Sequence, residues 1–169
     1  MAFEKIIKNA FEESENNSRL GDTIEEITEI QNYIKNAKKI YIPNKNGIKV
    51  EVLNKVLRQY GLPEAEILQV NTNTADTSRI PALAKAYIAL DQCECDLVIA
   101  RGRLGIPGSG SLLIFIDNKG HILTAGMSPS HIIHQKSVEE AVYNEAVEAL
   151  DSHSWTSLLN LTSCEITYN

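Results

Sequence analysis

The chain has 169 residues, is 43% hydrophobic and 22% charged, and carries a formal net charge of −6. That length suits one domain with a sizeable core. The acid excess argues against broad nucleic-acid binding, which needs a basic footprint, but leaves room for a small anion at a locally positive site.

No stretch reaches the about 18 apolar residues of a membrane span. The start, "MAFEKIIKNAFEESE", carries acids early, unlike a signal peptide, so the expected compartment is the cytoplasm. The three cysteines, Cys93, Cys95 and Cys164, lack metal-type spacing and are too few for a disulfide framework; they read as buried free thiols.

Residues 1–36 read as an N-terminal helical segment of one α/β domain covering 1–169. Phe3, Ile6, Ile7, Ala10 and Phe11 recur at helical spacing. A second helix opens at Thr23, where Glu26 completes a capping box, and Ile24, Ile27, Ile30 and Ile34 form its stripe. "KKIYIPN" is a short strand stopped by Pro43. "NGIKVEVLNKVLRQYGLP" is a helix with Val50, Leu53, Val56, Leu57 and Tyr60 on one face and Gly61 at its end.

"EAEILQVN" is a strand. The helix after "TADTSRI" accepts Pro81 in its first turn and turns Ile80, Leu83, Ala84 and Tyr87 inward. Two apolar strands flank the loop "ARGRLGIPGSGS", the turn "DNKG" follows, and "HILTAGM" is the next strand. The final helix, capped by Ser137 with Glu140, faces Val138, Ala141, Val142 and Ala149 inward. The sum is α/β: a mixed, mostly parallel twisted sheet with helices on both faces and an antiparallel hairpin.

Four loops carry chemistry. In "ARGRLGIPGSGS" no acid occurs between Leu97 and Ile116, in an otherwise acidic chain. Glycines let backbone amides approach an anion, here Gly105, Gly108 and Gly110. Arg101 and Arg103 offer forked donors to phosphate, and Ser109 and Ser111 offer hydroxyls. The P-loop and dinucleotide patterns do not fit. The competing reading is a flexible connection with solvated arginines; the glycine density favours a ligand loop.

In "IYIPNKNGIKVEVL" a strand meets a helix N-terminus, a natural phosphate site. Asn44, Lys45 and Lys49 would serve it, evenly matched by a plain capped turn. "VNTNTADTSR" repeats the arrangement with Thr72, Asn73 and Arg79. Asp76 there is a candidate magnesium ligand or, slightly favoured, a helix cap. In "GMSPSHIIHQKS", Ser128, Ser130, His131 and His134 suit a substrate-contacting loop or simply satisfy backbone groups. No third ligand makes zinc improbable for the two histidines, and His121 and His153 read as surface residues. Loops at Asn44, Asn73 and Arg101 should converge beyond the strand ends. The amides, hydroxyls and cations there, with no obvious nucleophile, suit phosphoryl or nucleotidyl transfer.

"DLVIARGRLGIPGSGSLLIFIDNKGHILTAGMSPSHIIH" resembles the guanylyltransferase family of iron-guanylylpyridinol (FeGP) cofactor biosynthesis, which serves the iron hydrogenase of methanogens. The likeness runs from "IYIPNKNG" to the final helix. It implies joining of GMP, from GTP, to a pyridinol hydroxyl with release of pyrophosphate. It also implies a homodimer and a fold similar to the inosine triphosphate pyrophosphatases, and the transfer chemistry itself brings magnesium with the triphosphate. On that likeness Asn44 and Lys49 touch phosphates. The acidic metal-binding run of those pyrophosphatases is missing, which counts against simple triphosphate hydrolysis. The alternatives are such a pyrophosphatase and a non-catalytic nucleotide-binding protein. Expected catalytic groups are Lys49, Arg101, His131 and His134; Ser128, Ser130 and His131 would meet the pyridinol. No nucleic-acid or membrane partner is expected.

Overall fold

A computed structural model describes residues 3–151. Compact units divide after Asn36. In the first, α1 (Glu4–Glu15) and α2 (Ile24–Asn36) are joined by a polar link. Arg19 in that link holds Glu13, Asp22 and Glu26 at 3.0, 3.0 and 2.7 Å. The expected capping box forms reciprocally, with the Thr23 N–H donating to Glu26 Oε2 at 2.8 Å and the Glu26 N–H to Thr23 Oγ1 at 3.2 Å. The Arg19 bond, followed by the Thr23 amide, pulls the Glu26 carboxyl down to about 2. Of the residues at helical spacing at the start of the chain, Phe3 is buried, Ile6 and Ala10 are half-buried, and Ile7 and Phe11 are exposed.

The second unit contains β1 (Ile40–Ile42), α3 (Gly47–Gln59), β2 (Glu66–Ile67), a 3-10 turn (Asn73–Thr77) and α4 (Pro81–Leu90). It continues with β3 (Leu97–Arg103), β4 (Ser111–Asp117), β5 (Ile122–Ser128), the single turn α5 (His131–His134) and α6 (Val138–Asp151). The strands form one sheet in the order β2-β1-β3-β4-β5.

β1 pairs in parallel with β2 and β3, and β3–β4 and β4–β5 are antiparallel. The sheet is therefore mixed, but not mostly parallel. Helices lie between β1 and β2 and between β2 and β3, whereas the seven-residue β3, β4 and β5 follow one another through loops too short for a crossover.

Strand alternation sends Val98, Ala100, Leu112, Ile114 and Ile116 to one face, against Ala82, Ala86 and Ala89 of α4. Ile80 and Tyr87 are exposed instead, so the inward stripe of α4 is its alanines. Small side chains let this helix approach closely: a Cβ on Gly102 would lie 2.9 Å from the Ala82 nitrogen. Leu97, Ile99, Leu113 and Phe115 fill the other face, where α6 packs on β4 and β5 and α3 packs on α6.

Val50, Leu53, Val56 and Leu57 are buried as their spacing predicts, and Gly61 ends α3 at φ 68°. Gly120, at φ 89°, closes the β4–β5 turn. Val138 is exposed, and Glu145 takes an inward position on α6. Cys95 is a buried free thiol, pushed up to about 12 by burial and then by Cys93. Cys164, His153 and the tail lie outside the described residues.

Candidate active site

Parallel pairing sends the C-terminal ends of β1, β2 and β3 the same way, and the loops that follow them meet there. They enclose a cavity of about 420 Å³ lined by Asn44, Lys45, Lys49, Thr72, Asn73, Asp76, Lys85, Arg101, Arg103 and Ser111, among others. Two of those loops are built alike. Asn44 Oδ1 accepts the Asn46 N–H at 2.9 Å, and Asn71 Oδ1 accepts the Asn73 N–H at 3.0 Å. Short amide side chains thus hold each turn. Asn46 Oδ1 also accepts the Ile48 N–H at 3.0 Å and caps α3, one turn before Lys49 reaches the cavity.

Among the described residues, five cations line this cavity (Lys45, Lys49, Lys85, Arg101 and Arg103) against one carboxylate, Asp76. Lys85 approaches Asp76 to 4.0 Å. The Lys49 ammonium is held below its ordinary range, first by desolvation, then by the charges of Arg101 and Lys85, with Glu145 opposing. Cations that depress one another in a partly dry site form a place for a polyanion.

A second cavity, of about 340 Å³, adjoins the first. Gly108, Gly110, Ser130, His131 and His134 help line it, and Arg101, Arg103 and Ser111 line both. The His131 and His134 rings meet edge to face, centroids 5.5 Å apart. His134 Nδ1 accepts the Lys136 N–H at 2.8 Å, so a neutral His134 carries its hydrogen on Nε2 and presents a donor. Gly110 is irreplaceable at φ 104°: a Cβ there would lie 2.2 Å from the Ser128 oxygen.

Four expected ligand residues, Arg79, Gly105, Ser109 and Ser128, line neither cavity. Ser109 is spent inside its own loop: its hydroxyl accepts the Gly105 N–H at 3.0 Å and donates to the Ile106 oxygen at 2.6 Å.

The wall between the cavities rests on a residue that sequence reading passed over. Glu145, fully buried on α6, takes Arg101 Nε at 2.6 Å and Nη2 at 3.0 Å, a two-pronged pair. Ser111 Oγ donates to the same carboxylate and accepts from Arg101 Nη2 at 3.0 Å. The signal was its helical spacing, four residues from both Ala141 and Ala149, which puts a charge inside an apolar stripe. Lys85 was passed over too, as the one charge in an otherwise apolar helix.

The cavities, their cationic lining and the arginine wall between them suit transfer of a phosphate-bearing group between two bound molecules. The model of one protein family, described as "FeGP cofactor biosynthesis protein HcgB, guanylyltransferase", matches residues 3–153. The chain belongs to that family, and is by it a guanylyltransferase, one of the nucleotidyltransferases.

Proposed function

With that membership as the premise, we propose that GTP lies in the larger cavity and a pyridinol in the smaller, and that the guanylyl group crosses at Arg101, Arg103 and Ser111. The observation that carries this reading is the shared wall: these three residues line both cavities. The triphosphate meets Lys45, Lys49 and Lys85, with Asn44, Thr72 and Asn73 around it. The pyridinol lies by Ser130, His131 and His134.

The pyridinol oxygen attacks the α-phosphorus. The new O–P bond forms as the bond from that phosphorus to the α,β-bridging oxygen breaks, and pyrophosphate departs with the electron pair. The hydroxyl proton passes to His131, whose ring nitrogens have no hydrogen-bond partner among the described residues. Arg101 and Arg103 face the charge that grows on the transferring phosphate, where fixed donors act most strongly.

Magnesium fits as a companion of the triphosphate, since it takes one or two carboxylates and otherwise phosphate oxygens and water. Asp76, the carboxylate lining the cavity, would hold it, and the bound ion would neutralise phosphate charge. A fold similar to the inosine triphosphate pyrophosphatases, a homodimer and a cytoplasmic setting belong to the same reading; no described helix is long and apolar enough to cross a membrane.

The test is product analysis by mass spectrometry, with magnesium, a panel of nucleoside triphosphates, and a hydroxypyridine present or absent. The expected result is a guanylyl–pyridinol adduct from GTP, with pyrophosphate only when the acceptor is present. Nucleoside monophosphate and pyrophosphate without acceptor would mark a pyrophosphatase, and no turnover a binding protein.

A further inference from the structure

Arg101 has three guanidinium nitrogens, and two are taken. Nε and Nη2 bond the Glu145 carboxylate at 2.6 and 3.0 Å, and Nη2 also reaches Ser111 at 3.0 Å. Nη1 has no hydrogen-bond partner among the described residues. Glu145 has no exposure to solvent and does not line either cavity, so it cannot touch a ligand there. A buried carboxylate is costly unless its partners hold it well; this one has two nitrogens and a hydroxyl around it.

We infer that Glu145 is a positioning residue for guanylyl transfer: its buried carboxylate fixes Arg101 across the wall common to both cavities and leaves Nη1 for the group in transit. The inference rests on the proposed occupancy of the two cavities. A long arginine side chain has many rotamers, and fixing it before the reaction removes that cost at the moment of transfer. Ser111 braces the same carboxylate from β4, so both strands of the β3–β4 pair and α6 converge on one guanidinium. The lost function should therefore lie in turnover more than in nucleotide affinity.

The experiment is steady-state kinetics of the parent, Glu145→Gln, Arg101→Met and the double variant, with GTP and a hydroxypyridine acceptor, alongside thermal melting. Glu145→Gln is expected to lower kcat by about tenfold to a hundredfold while KM for GTP stays within about threefold. In the Arg101→Met background the same change should have no further effect on kcat, because Glu145 acts through Arg101. An unchanged kcat, a change confined to KM, or the same kcat loss in both backgrounds would each overturn the inference. Should Glu145→Gln not fold, Ser111→Ala replaces it, with kcat expected to drop by about fivefold at constant KM for GTP; no drop would overturn it. A parent that makes no adduct would sink the occupancy itself, and the inference with it, whereas adduct from the parent and from an undiminished variant sinks the inference alone.

Discussion

The backbone oxygen of Glu145 lies 1.9 Å from where a Cβ on Gly126 would stand. Helix α6 and strand β5 thus touch backbone to backbone at the level of the Arg101 ion pair. Gly126 also sits opposite Leu113 on β4. This missing side chain sets the depth of α6, and so how far the Glu145 carboxylate reaches across the sheet to β3.

Gly126→Ala should push α6 outward. Overpacking of a tight core costs about 1–3 kcal/mol, and more where backbone is the obstacle. We expect a lower denaturant midpoint and a fall in kcat together, because the helix that shifts carries Glu145. Urea unfolding and turnover of the same preparation check this; a variant as stable and active as the parent would refute the depth argument.

Lys49 should reveal itself through pH. Its folded pKa lies below that of an ordinary lysine, with desolvation the largest cause. Between the two values the unfolded chain binds more protons than the folded one, so this group makes stability rise with pH across that window. Below the folded pKa its charge opposes folding in full. Lys49→Met should therefore leave the ligand-free protein as stable as the parent or more so at neutral pH. The same variant should raise KM for GTP by about tenfold to a hundredfold, the loss expected for a hydrogen bond to a charged group. Melting curves and KM, each measured from neutral to alkaline pH, test both parts.

Asp76→Asn keeps the shape and removes the charge. If Asp76 contacts magnesium on the triphosphate, the magnesium concentration for half-maximal turnover should rise by about tenfold. Lys85 would also lose its partner, now 4.0 Å away. Titration of turnover with magnesium at fixed GTP is the check, and an unmoved midpoint would remove Asp76 from the metal assignment.

The two histidines should separate. His134 has Nδ1 occupied by the Lys136 amide, whereas the His131 ring nitrogens have no such partner among the described residues. His131→Gln is expected to lower kcat by about a hundredfold, within the usual range for a lost acid–base group. His134→Gln should act mainly on KM for the acceptor. Equal effects of both on kcat would disprove the division.

The strand-turn-helix segments were legible because local rules decide them. Pro43 ends a strand, Asn46 caps a helix, and Lys49 follows one turn later. The arginines were legible from the acid-free run that holds them. Residues whose placement depends on packing were not. The stripe of α4 was misread because large side chains were assumed to face inward, yet Gly102 makes room for the alanines. Glu145 is hard to read because a glutamate on a helix is normally solvated, and its pairing with Arg101 depends on how closely α6 packs on the sheet, as at Gly126. Ser109 was over-read: a hydroxyl in a glycine-rich loop can tie the loop as readily as hold a ligand.

The shared wall has a stereochemical consequence. The hydroxyl of Ser111 is engaged by Glu145 and Arg101, and on the proposed occupancy the acceptor oxygen attacks the α-phosphorus directly. Donor and acceptor would then be present together, and the hand-over would be a single displacement. A chiral thiophosphate at the α-position should emerge with its configuration inverted, whereas two successive displacements would return it unchanged.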